Sequence, residues 1–263
     1  MRAFNTIAVT REGFVATIEI RRPPHNFFDI EMIRDIADAC GSLDEDPGCR
    51  AIVLAAQGTA FCAGAKLGGD SDIGDLLVQR NQAGDTGSLY HEAVRLFRTK
   101  KPIVGAIHGA AVGGGLGLAL VPDLRVTCAE ARFCANFTKL GFHPGFGLTV
   151  TLPAFIGPSK AALMFYTSRR ITGTEAVAMG LADVLVPQAE VRAAAQKLAA
   201  EIAACAPLGV IATRASLREG LADRVLAATN IELEKQLVLR KTEDFKEGVD
   251  SVNERRAANF KGR

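Results

Sequence analysis

The chain has 263 residues, 48% of them apolar, and a formal net charge of +2. That is enough apolar mass for one large packed domain and too much for a disordered chain. The near-neutral charge, the lack of any Lys/Arg block and the scarcity of stacking aromatics (two Tyr, no Trp) argue against a nucleic-acid partner.

In chain order, residues 4–20 read as a hairpin: Ile7 and Val9 alternate with polar positions, Glu12-Gly13 turns, and Val15, Ile18 and Ile20 resume the pattern. Asp29 is placed to cap a helix from Ile30 to Leu43 with Ile33, Ile36 and Ala37 on one face. Ala51 to Ala55 is a continuous apolar run, a strand buried on both faces. Residues 68–88 are rich in Gly, Asp and Ser, a loop with a helical piece at Leu76 to Arg80 whose Asp70, Asp72, Asp75 and Asp85 face water. A helix follows from Ser88 to Thr99.

The chain is organised around residues 101–123. Lys101-Pro102 precede a buried strand, Ile103 to Ile107, and Gly113-Gly114-Gly115 then turns into a short helix ending before Pro122. A triple glycine at a helix start exposes backbone N–H groups with no Cβ in the way, and the helix dipole favours negative charge there. Gly114 N–H therefore reads as one half of an oxyanion hole. A dinucleotide fingerprint fails on spacing, and no Gly-Lys-Ser/Thr is present for a P-loop. A membrane span from Ile103 to Val121 is weakened by its glycines and His108, and no second span exists.

Leu124 to Cys128 and Phe133-Cys134 are two further short strands, so buried strands alternate with helices in a layered α/β fold. Beyond Gly157 the chain turns helical. Ser159 reads as the cap of a helix to Thr167, and Thr172 with Glu175 as a capping box for a helix ending at Gly180. Leu181 to Val186 is a last strand. Helices follow at about 190–205, 207–219, 222–241 and 244–258, with the boundary between a 1–200 core and a 201–263 helical region near residue 200. The six cysteines, at 40, 49, 62, 128, 134 and 205, lack CxxC spacing and read as reduced buried thiols, with no metal site. Met1 to Asn5 carry no apolar signal segment, so a cytoplasmic location is expected.

These motifs resemble the crotonase (enoyl-CoA hydratase/isomerase) superfamily over essentially the whole chain. The resemblance rests on Ala60-Phe61-Cys62-Ala63-Gly64-Ala65, Lys101-Pro102 through Gly113-Gly114-Gly115, Asp123, Gly141 with Pro144-Gly145, Leu152-Pro153, Ile156-Gly157, Thr172-Gly173 with Gly180-Leu181-Ala182, and Glu247-Gly248 with Glu254-Arg255-Arg256. It implies a spiral of ββα units with a helical C-terminal trimerisation region, a homotrimer or homohexamer, and an acyl-CoA thioester as substrate with no permanently bound cofactor. It also implies that the thioester oxygen sits between the N–H groups of Ala65 and Gly114. Ala63, Gly64, Lys66, Leu67, Gly113 and Phe142 would surround the substrate, and Arg22 and Lys261 are candidates for its phosphates.

The chain departs from that pattern where hydration needs it most. The positions of the two glutamates that hydratases use are Gly117 and Phe137 here, so ordinary two-glutamate hydration is not expected. An Asp that acts in other members falls at Gly145. His143 and Tyr90 stand as acid–base candidates, each against a bland reading: His143 bonding its own turn, Tyr90 and His91 merely opening a helix. His108 reads as structural. Phe137 and Phe142 make an apolar pocket suited to a bulky or aromatic acyl group. Two functions stay open: an acyl-CoA-processing enzyme that stabilises an enolate, or a catalytically silent acyl-CoA-binding homologue.

Overall fold

The computed structural model describes residues 4–66, 78–80 and 86–263. Two sheets carry the core. The larger has the order β1 (Ile7–Glu12), β2 (Val15–Ile20), β3 (Ala51–Ala56), β7 (Ile103–Ile107), β9 (Leu124–Thr127), β12 (Val184–Leu185). Its first pair is antiparallel, the expected hairpin, and every later pairing is parallel. The smaller has the order β11 (Arg170–Thr172), β10 (Arg132–Cys134), β8 (Ala110–Val112), β4 (Ala60–Cys62). Among described residues, β5 (Val78–Arg80) and β6 (Thr86–Ser88) form a separate antiparallel pair. All of β3 and β7 is buried, as continuous apolar strands between covered faces must be.

The chain runs from the large sheet into the small one three times, at β3 to β4, β7 to β8 and β9 to β10. Each crossing is short. His108 and Gly109 make the middle one; a Cβ on Gly109 would overlap the Thr59 carbonyl, so only glycine lets the strands pass. This recurrence is a spiral of ββα units, and it shows a strand, β8, inside what reads from sequence as a single strand–glycine–helix turn.

Helices cover the sheets. The α1 helix (Ile30–Glu45) is capped by Asp29, whose side chain accepts from Met32 N–H, and buries Ile33, Ile36 and Ala37. The α2 helix (Leu89–Phe97) packs on α1, and α3 (Gly114–Ala119) follows β8. Next come α4 (Leu148–Ile156) and α5 (Pro158–Thr167). Ser159 does not cap α5: Pro158 takes the first turn, and Gly157 at φ 78° precedes it without a side-chain bond. The capping box at Thr172 and Glu175 is present at the start of α6 (Gly173–Met179). Then α7 (Val191–Ala203) lies against the large sheet, and α8 (Pro207–Leu217), α9 (Leu221–Leu239) and α10 (Glu243–Asn253) complete the chain. The last strand is only Val184–Leu185. Of the helical piece expected at Leu76 to Arg80, residues 78–80 are strand. Leu67, Asp70, Asp72, Asp75 and Asp85 lie outside the described residues. Among described residues no single helix is long and apolar enough to cross a membrane.

Candidate active site

Two strand ends and one helix start meet at the site. After β4 the chain passes through Ala63, Gly64 and Ala65; after β8 it passes through Gly113 into α3. These segments are in backbone contact. A Cβ on Gly64 would lie 2.6 Å from the Val112 carbonyl, and one on Gly115 would overlap the Cys62 carbonyl and stand 3.0 Å from Gly64 N. Gly64, at φ 87°, and Gly113, at φ 57°, hold conformations that side chains disfavour. The glycines are therefore what lets α3 start against the β4 end. As the first residue of α3, Gly114 carries an N–H without a helical acceptor. Phe28 N–H donates to Gly64 O (3.0 Å), docking the residue before the α1 cap onto the same strand end.

These groups line a cavity of about 70 Å³ with Phe28, Tyr90, Asn136, Phe137, Phe142, Phe146 and Gln236 among its walls. Among the described lining residues the walls are apolar apart from three neutral polar side chains: Tyr90, Asn136 and Gln236. The Tyr90 hydroxyl donates to Gln236 Oε1 (2.6 Å), and Gln236 Nε2 donates to the His143 carbonyl (2.8 Å). Burial, with the Glu232 carboxylate nearby, drives the Tyr90 hydroxyl well above its ordinary range, and a backbone hydrogen bond from Phe146 partly opposes this. Tyr90 is thus a neutral, fully engaged group at neutral pH. One turn before Gln236 on α9, buried Glu232 accepts from Gly147 N–H (2.7 Å), Thr149 N–H (3.0 Å) and Thr149 Oγ1 (2.6 Å), so it caps α4 from a distance. Burial raises its carboxyl above the usual range despite those donors.

The expected site residues now have places. Ala63, Gly64, Ala65, Tyr90, Gly113, Gly114, Phe137 and Phe142 all line the cavity. His143 is not among the lining residues: its Nδ1 donates to the Pro144 carbonyl (2.7 Å), the bland reading of that side chain. Gly117 is buried in α3, and a Cβ there would stand 2.7 Å from Cβ and Cδ1 of Phe146. The Phe146 ring fills the space that a side chain at 117 would take. Likewise a Cβ on Gly145 would overlap the Tyr90 hydroxyl, so Tyr90 and Gln236 stand where a side chain at 145 would be. Lys66 is exposed. Arg22 is already paired with Asp29 (2.5 Å) and Glu31 (3.0 Å). His108 Nε2 bonds Gly58 O (3.0 Å), a structural contact. The Cys62 thiol, fully buried beside the site, is pushed up to about 12 by burial and is no nucleophile at neutral pH. Among described residues no three His, Cys, Asp or Glu side chains gather as metal ligands would.

Sequence reasoning passed over Phe28, Asn136, Phe146, Glu232 and Gln236. For the α9 pair a signal existed: Val225, Thr229, Glu232 and Gln236 recur at helical spacing, and all four are buried.

The spiral of ββα units places the chain in the crotonase-type fold class. Comparison with known proteins agrees. A family model described as enoyl-CoA hydratase/isomerase matches residues 10–263. The chain is 30% identical to the crotonyl-CoA hydratase of Syntrophomonas wolfei, over 98% of each chain. It is 33% identical to a probable enoyl-CoA hydratase of Bacillus subtilis, over 98% of this chain and 99% of that one. A crystal structure of an enoyl-CoA hydratase/isomerase from Pseudoalteromonas atlantica superposes with a TM-score of 0.86 at 27% identity, covering 98% of this chain and 100% of that one. The chain belongs to the enoyl-CoA hydratase/isomerase family.

Proposed function

We propose that the cavity binds an acyl-CoA thioester with its carbonyl oxygen between Ala65 N–H and Gly114 N–H, and that the protein stabilises the enolate or oxyanion formed there. The observation that carries this reading is the glycine-locked contact between the β4 end and the α3 start, which brings both backbone segments to one apolar cavity. Two fixed donors in a dry site stabilise charge that develops only in the transition state, and losing one such donor typically costs ~10²–10³ in rate. No separate cofactor enters the scheme. Steady-state assays over a panel of acyl- and enoyl-CoA thioesters should find turnover that Gly114→Val abolishes in a folded protein. No turnover on any member would count against the enzyme.

A second reading is favoured by Phe146. With its ring in the space at Gly117, and Phe137 at the other glutamate position, both places that the resemblance assigns to catalytic carboxylates hold phenyl rings. Under this reading the protein binds acyl-CoA and performs no chemistry. Calorimetry decides for it if acyl-CoA binds and is recovered intact after long incubation. In either case we infer a trimer or hexamer. Leu208 and Leu217 on α8, 81% and 82% exposed, and Ile231 and Val238 on α9 leave apolar surface of the kind that association covers. Light scattering that returns a monomer mass would reject that assembly.

A further inference from the structure

We infer that Phe146 is the residue that sets which acyl groups this site accepts, and that it restricts them to short chains of about four carbons or fewer. The inference rests on the proposed seat of the carbonyl at Ala65 and Gly114. Phe146 holds φ 64°, a conformation that a bulky side chain adopts only when its surroundings impose it. The surroundings are two residues of α9. Gln236 Nε2 holds the His143 carbonyl on one side of Phe146, and Glu232 holds Gly147 N–H and Thr149 N–H on the other. Gly147, next in the chain at φ 72°, packs against Val225 of the same helix.

The turn so clamped drives the phenyl ring against α3. The ring stands over Gly117, reaches the neighbourhood of Gly114, and lies 5.8 Å from the ring of Phe28, centroid to centroid. It is 1% exposed. An acyl chain leaving a carbonyl at Gly114 therefore meets phenyl walls within a few bonds. The space left is about 70 Å³, whereas an apolar cavity that admits benzene measures about 150 Å³. A bulky or aromatic acyl group, which Phe137 and Phe142 suggest from sequence, is thus disfavoured by a third ring. Phe146 shapes the cavity; Gln236 and Glu232 act through it as positioning residues.

The test is calorimetric titration of the full chain with free CoA and with acetyl-, butyryl-, hexanoyl- and octanoyl-CoA. The expected result is tightest binding at butyryl or below and weaker binding for the two longer chains. Phe146→Gly suits the positive φ and removes the ring. It should reverse the order, with each further buried CH₂ tightening binding by about fourfold. Phe146→Leu should give an intermediate order. Native protein that binds octanoyl-CoA as tightly as butyryl-CoA would overturn the inference whatever the variants do. So would a folded Phe146→Gly with the native order. Failure of free CoA and of every thioester to bind would overturn the carbonyl seat itself, a different outcome from a flat chain-length series.

Discussion

Asp123 and Arg125 lie at the start of β9, Tyr90 and Gln236 at the cavity, and both belong to polar clusters that are mostly buried. They are built on opposite terms. Asp123 accepts from Arg214 Nε (2.9 Å), Arg218 Nη1 (2.5 Å) and Ile103 N–H (2.8 Å). Arg125, 1% exposed, pairs with Asp183 (3.0 Å), donates to the carbonyls of Leu181 and Pro122, and lies 4.1 Å over the Phe155 ring. Full charges are retained there because each has a partner. Burial alone would raise the Asp123 carboxyl; Arg214 and Arg218 override it and hold the group below its ordinary value. At the cavity the described lining carries neutral groups, and the Glu232 carboxylate, which raises the Tyr90 hydroxyl, spends its oxygens on the α4 start. The contrast teaches that this fold accommodates buried charge readily, so the neutrality of the cavity wall is a property of these particular side chains.

Four experiments sharpen the contrast, the largest effect first. Asp123→Ala leaves Arg214 and Arg218 buried without their carboxylate and should cost about 3–5 kcal/mol in urea denaturation. Gly114→Ala places a methyl 2.6 Å from Phe28 Cε1; it should cut turnover, or acyl-CoA affinity, by ~10² or more and, as overpacking, cost about 1–3 kcal/mol in stability. Gly117→Glu overpacks against Phe146 and should cost about 1–3 kcal/mol, and a double-mutant cycle with Phe146→Ala should return a favourable coupling that offsets most of that cost. Additive losses in that cycle would show that the ring is not what the new side chain meets. The smallest effect is Tyr90→Phe, which leaves Gln236 Oε1 without its donor and should cost about 1–2 kcal/mol in stability.

The charged cluster also predicts a pH dependence. The folded pKa of Asp123 is depressed, so its contribution is present above the unfolded value and lost as pH falls through the folded one. The stability gap between native protein and Asp123→Asn should therefore be widest near neutral pH and close below about pH 4. A gap that stays constant down to pH 3 would mean that Asp123 is not the titrating partner of the two arginines.

The fold was legible where single residues carry strong local signals. Asp29 and the Thr172–Glu175 box start their helices as read, and the apolar run at Ala51 marks a buried strand. Two features of the fold were not legible. The β8 strand is three residues of Ala and Val inside a glycine-rich run, too short for any period to register. Ser159 is a good capping type, but Pro158 had already claimed the first turn. At the site, the backbone glycines announced themselves because glycine is informative about close approach. Phe28 and Phe146 did not, since a phenylalanine in a sequence says that something is buried and not which hole it fills. Glu232 and Gln236 recur with Val225 and Thr229 at helical spacing, but only the turn at 143–149, brought to them by the fold, shows what they bond.

The three crossings between sheets carry one further consequence. Gly64-Ala65 follow β4, Gly113-Gly114 follow β8, and Asn136-Phe137 follow β10, each pair standing within three residues of its strand end. β4, β8 and β10 are adjacent in the small sheet in that order. Three segments of the cavity wall are thus corresponding steps on successive rungs of one screw, and Phe28, Tyr90, Phe146 and Gln236 add to the wall from other elements. A one-residue deletion inside any of these strands would turn that rung's wall residue away from the axis while leaving the other two in place. Chemistry on such a scaffold is exchanged rung by rung, and the rung ending at Phe137 is where this chain has made its own choice.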